Sequence, residues 1–103
     1  MNYKAKKDNK GRLIEIHVPL EGQHDMVCSF NYSPSIMGDG TTACHTRVCD
    51  DGCSAALCCG RTPKQGLVEA IETDSKHNVF HGTKEQKLMK RNILRKIICS
   101  LMD

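Results

Sequence analysis

The sequence predicts an α+β domain: an N-terminal antiparallel sheet of three to four strands, packed by a short cysteine-containing helix and two C-terminal helices. Three observations carry this. Apolar residues alternate in the segments between residues 12 and 49. Two capping boxes follow, Thr62-Pro63-Lys64-Gln65 and Thr83-Lys84-Glu85-Gln86, each opening a run with helical spacing. Strands therefore come first and helices last, which argues against alternating βαβ units. At 103 residues the chain is expected to be one domain spanning residues 1–103.

Each element has a local reason. Asp8-Asn9-Lys10-Gly11 is a turn signal. Arg12–Val18 then sets Ile14, Ile16 and Val18 on one face, until Pro19 ends the ladder. Met26–Tyr32 alternates in the same way, with Met26, Cys28, Phe30 and Tyr32 on one face. Pro34, Gly38 and Gly40 break the chain into a loop. Thr41–Cys49 reads as a strand with Cys44, Thr46 and Val48 on one face, and His45, Arg47 and Cys49 on the other. Asp51 as N-cap and Gly60 just past the end bracket a short, nearly all-apolar helix over Cys53–Cys59.

Pro63 opens the next helix, which runs to about Thr73 with Leu67, Val68 and Ile71 on its buried side. Gly66 in its interior counts against it. Lys76–Gly82 forms the connection to the last helix. On that helix Met89, Ile93, Ile97 and Leu101 form one ridge, with Leu94 and Ile98 beside it. Lys84, Lys87, Arg91 and Arg95 form a separate basic stripe.

Composition narrows the function classes. No apolar leader follows Met1-Asn2-Tyr3-Lys4, and no apolar run has membrane-spanning length. The expectation is a cytoplasmic, reducing setting and no membrane partner. In that setting the seven cysteines bind metal or stay as thiols rather than form disulfides. Charge is unevenly spread. Residues 1–12 carry five basic side chains and one acidic, residues 13–83 four basic and nine acidic, and residues 84–103 six basic and two acidic. Basic ends around an acidic middle point to a polyanionic partner, to pairing with the middle of the same copy, or to pairing with that of another copy in a homo-oligomer.

The unusual chemistry is cysteine-rich. Zinc takes thiolate and imidazole ligands from two separate pieces of chain. Cys49-x3-Cys53 or Cys53-x4-Cys58 supplies one half, and His77-x3-His81 the other. The expected structural zinc ligands are therefore Cys49, Cys53, Cys58, His77 and His81. The competing reading is that these cysteines are small buried hydrophobes. Gly52-Cys53-Ser54-Ala55 and Lys96-Ile97-Ile98-Cys99-Ser100 also resemble the second and third cysteine motifs of iron–sulfur assembly scaffold proteins. That resemblance implies a cluster on Cys28, Cys53 and Cys99. It departs at Ser29-Phe30, where an aspartate would follow the first cysteine, and at Ile98, where a histidine would precede the third.

No nucleophile–base pair or paired carboxylates stand out, so the reading leans away from an enzyme. It favours a small intracellular, non-enzymatic binding or regulatory protein, stapled by a structural zinc or packed on buried thiols. Its macromolecular partner, a protein or a nucleic acid, would meet the basic helix at Lys84, Lys87, Arg91 and Arg95. The alternative is a metal or thiol protein, whether zinc or iron–sulfur carrier, redox protein or thiol enzyme, in which the cysteines are the functional site. On either the zinc or the packing reading Cys53→Ser lowers the thermal midpoint, which thermal denaturation of that variant checks.

Overall fold

A computed structural model describes residues 3–35, 38–51 and 53–101, with residues 53 and 54 described by their backbone alone. Five strands come first: β1 (Lys4–Lys7), β2 (Leu13–Val18), β3 (Met26–Pro34), β4 (Thr42–Asp50) and β5 (Cys53–Gly60). Two helices follow, α1 (Pro63–His77) and α2 (Lys84–Ser100). The sheet is an antiparallel meander in the order β1-β2-β3-β4-β5. The α+β class holds, with more strands and fewer helices than the sequence predicts.

The hairpins form where polar side chains replace missing backbone partners. Asp8 Oδ1 accepts from the amides of Lys10 at 2.9 Å and Arg12 at 2.8 Å, while Gly11 takes φ 79. Asp25 does the same after β2, accepting from the Leu20 amide at 3.0 Å. Register then fixes the faces. Ala5, Ile16, Cys28, Val48 and Ala56 form one row across all five strands, on the buried side. Lys6, Glu15, Ser29, Arg47 and Leu57 form the matching row on the opposite side. The alternation read for β3 and β4 matches the buried positions, with Cys44, Thr46 and Val48 all inside. On β2 Ile16 and Val18 are buried as expected, but Leu13 rather than Ile14 packs against the core, because the register shifts opposite Lys6 and Lys7 and skips Ile14.

The expected short helix over Cys53–Cys59 is a strand. Asp50 pairs with Cys53, and Cys58 and Cys59 pair with Thr46 and His45. Asp51 takes φ 50 and is the first residue of a two-residue hairpin turn, not an N-cap. Aspartate is among the residues that tolerate the positive φ such a turn asks of Asp51. A short apolar run between glycines does not distinguish helix from strand by periodicity. An isolated helix of that length is also unstable, whereas β4 offers a full row of backbone partners.

Both helices cover the same face. Leu67, Ala70, Ile71, Leu94 and Ile97 meet Ile16, Met26, Phe30 and Val48 in the core, and Phe80 joins them from the helix connection. Thr62 caps α1 by accepting from the Gln65 amide at 3.1 Å. The helix runs past Thr73 to His77, where Asn78 at φ 54 stops it. Thr83 and Gln86 form the capping box of α2 as expected. The predicted ridge on α2 is offset, however. Met89 is exposed and Lys90 is buried in its place, beside Leu94 and Ile97.

Gly66, which by helix propensity counts against α1, is what allows it to pack. A Cβ on Gly66 would lie 1.9 Å from Oγ1 of the buried Thr46 on β4. Gly66→Ala is therefore expected to destabilise the fold by about 1–3 kcal/mol through overpacking. This outweighs the helix-propensity gain of at most about 1 kcal/mol. Urea denaturation of the variant measures the balance.

Candidate binding surface

The sequence-predicted ligands come from β4, β5, the end of α1 and the helix connection. Cys49 lies on β4 facing away from the helices, and Cys58 lies on β5, half-buried. His77 is exposed at the end of α1. His81 lies in the helix connection, and the side chain of Cys53 lies outside the described residues. Among the described residues no three His, Cys, Asp or Glu side chains converge as a metal-holding group. Cys28 is fully buried, and burial, reinforced by Cys49, pushes its thiol up to about 12. Burial also raises Cys44 and Cys58, the latter against a hydrogen bond from Thr73 and with Glu69 adding to the rise. Neutral thiols of this kind pack like small hydrophobes. Cys99 is exposed on α2, remote in character from the buried Cys28.

His81 is held by a buried carboxylate. Asp50 is fully buried at the end of β4. Its Oδ1 meets Nδ1 of His81 at 2.6 Å, and its Oδ2 accepts from the His81 amide at 2.7 Å and from Nζ of Lys90 at 2.7 Å. Lys90 also donates to the His81 carbonyl at 2.7 Å. Burial raises the Asp50 carboxyl, but the hydrogen bonds from Lys90 and His81 outweigh it and hold the group below the usual carboxylate range. A cleft of about 550 Å³ opens beside this cluster, lined by His24, Asp51, His81 and Gln86 among others.

The basic stripe of α2 is partly engaged inside the fold. Arg91 forms an ion pair with the buried Asp74 of α1, Nε to Oδ2 at 2.9 Å. Lys87 donates to Oδ1 of Asn78 at 2.8 Å, tying α2 to the end of α1. Arg95 donates to its neighbour Asn92 at 2.8 Å. Lys84 and Arg95 are exposed.

Neither α1 nor α2 lies over the opposite face of the sheet, and the register collects charge there. Lys4 pairs with His17 and Lys6 with Glu15, so both lysines lie on the face that also carries Arg47 and His45. Lys4, Lys6, His45 and Arg47 are exposed. Lys4, Lys6 and Arg47 form no ion pair among the described residues. Asn31, Ser29 and Ser33 lie between them on β3. Sequence reasoning misses this surface, although Lys4-Ala5-Lys6 already shows the two-residue period that puts both lysines on one side of a strand. Arg47 cannot be joined to them without the register.

Comparison with protein families, with curated proteins and with solved structures finds no match to this chain. No helix among the described residues is long and apolar enough to cross a membrane.

The buried cluster generates two predictions. Lys90→Met leaves the Asp50 carboxylate buried without its ammonium and costs about 3–5 kcal/mol, whereas Lys90→Met with Asp50→Leu recovers part of that stability. Denaturant titrations of both variants read this. Because the folded-state pKa of Asp50 is lowered from 3.8, its contribution is complete above that value. It is lost as pH falls through the lower folded-state pKa. Acid titration of the thermal midpoint shows this limb in the wild type, and Asp50→Asn flattens it.

Proposed function

We propose that this chain is a non-enzymatic binding protein that holds the sugar–phosphate backbone of a nucleic acid on the uncovered face of its sheet. The observation that carries the reading is the exposed set Lys4, Lys6, Arg47 and His45 on a face that neither α1 nor α2 covers. Lysine and arginine bind phosphates by releasing condensed counterions. Hydroxyl and amide side chains such as Ser29, Asn31 and Ser33 add hydrogen bonds to phosphate oxygens. A protein partner would want aromatic anchors. Phe30 and Phe80 are instead in the core, Tyr3 bonds to Ser100, and the Tyr32 hydroxyl donates to the Leu13 carbonyl at 2.6 Å. With no aromatic for bases to stack on, binding depends on phosphate contacts and is weak in sequence preference. On α2, by contrast, Asp74 already pairs with Arg91.

Fluorescence anisotropy with duplex DNA, duplex RNA and single strands, titrated with salt, tests the reading. Affinity should fall log-linearly with salt. Replacing Lys4, Lys6 and Arg47 together with alanine should reduce the duplex DNA slope by about 0.9 for each phosphate no longer neutralised. Replacing Lys84, Arg95 and Lys96 should leave it nearly unchanged. No binding at low salt, or weakened binding confined to the α2 variant, overturns the proposal. Elemental analysis of the same sample separates it from a metal-centred function, since stoichiometric zinc or iron would return attention to the cysteines.

A further inference from the structure

The two edges of the sheet are built differently. β1 is Lys-Ala-Lys-Lys, and charged side chains are one of the devices that keep an edge from pairing. β5 has neither charge nor proline over its whole length, Cys53–Gly60, and its register irregularity, which leaves Ala55 extra between Ser54 and Ala56, falls in its inner pairing with β4. Among the described residues no further strand pairs with its outer side. Leu57 on it is 69 % exposed, the largest exposure among the big apolar side chains described, and Cys59 beside it is exposed too.

The charges nearest this neutral strand have opposite sign at its two ends. Asp51 precedes it and Arg61 follows it, with side chains 53 % and 54 % exposed. Each has one solvent-exposed charged-group contact at 3.3 Å, Asp51 with the imidazole of His24 and Arg61 with the carboxylate of Asp39, and Arg61 also donates to Thr41 Oγ1. Such exposed pairs are weak and exchange readily. A strand with an acid at one end and a base at the other is complementary to itself when reversed.

We infer that β5 pairs antiparallel with β5 of a second copy across a two-fold axis, making one continuous sheet through both molecules. With the axis at Ala56, Asp51 stands across from Arg61 of the partner subunit, and the pairing occurs twice. A parallel arrangement would set like charges side by side. The antiparallel arrangement supplies the outer backbone groups of β5 with partners and brings the two copies of Leu57 near the axis. It joins the open faces of both copies but does not depend on what those faces bind.

Sedimentation velocity across a concentration series tests this on the full chain. The wild type should dimerise. R61E alone and D51K alone should each raise the dimer dissociation constant about tenfold, because two attractive pairings become repulsive. Mixing R61E with D51K should restore dimers, since only the heterodimer places opposite charges together at both ends. Asp51 has φ 50, so circular dichroism checks that D51K folds. L57K, at an exposed site, weakens the dimer without disturbing the fold. The inference is overturned by a monomer throughout the series. It is equally overturned by a dimer indifferent to R61E and L57K, or by R61E and D51K failing to recover association when mixed.

Discussion

The Asp50 carboxylate is the point through which the sheet holds its helices. It sits at the end of β4 and receives the ring and amide of His81 from the helix connection and the ammonium of Lys90 from α2. Three separate pieces of chain are thereby fixed to one buried group. A buried ion pair contributes little compared with an apolar pair of the same volume, but breaking one side of it is costly. Its effect here is on geometry. Drawing Lys90 inward turns α2 so that Met89 faces solvent and Leu94 and Ile97 face the sheet. Asp74 acts in parallel on the other helix, accepting from the Phe80 amide at 2.9 Å and pairing with Arg91 at 2.9 Å.

Once both helices are committed to one face, the properties of the other face follow. Period-two alternation sends every second residue of each strand away from the core, so an antiparallel sheet covered on one side reads as apolar within and polar without. On this chain the outward residues include Lys4, Lys6, His45 and Arg47. The small side chains of β5 have a related consequence. Alanines and cysteines there, together with Gly66 opposite Thr46, let α1 come close to β4 and β5. The same smallness leaves a neutral outer edge.

Legibility varies with the range of the interaction involved. The alternation in β3 and β4, the turn at Asp8–Gly11 and the caps at Thr62 and Thr83 are all visible in the sequence, because each depends on residues within a few positions. β5 reads as a helix in the sequence because Cys53–Gly60 has no alternation to show. Ala56 is buried and Leu57 exposed, but both are apolar in the sequence. Asp51-Gly52 is a hairpin signal, yet the same aspartate also suits a helix cap, and only the pairing of β4 with β5 separates the two. On α2 a lysine within an apolar stripe looks like an interruption until its partner, forty positions away, is known.

By itself, the sequence determined the α+β class, the order of strands before helices, the capped starts of both helices and the alternating faces of the central strands. These depend on local spacing and on backbone chemistry that neighbouring residues satisfy. The tertiary structure alone decided that Cys53–Gly60 is a strand, that Lys90 is inside and Met89 outside, and that Lys4, Lys6 and Arg47 share one surface. Each of those outcomes depends on strand register or on a charge partner distant in the chain, and neither leaves a periodic trace in the sequence.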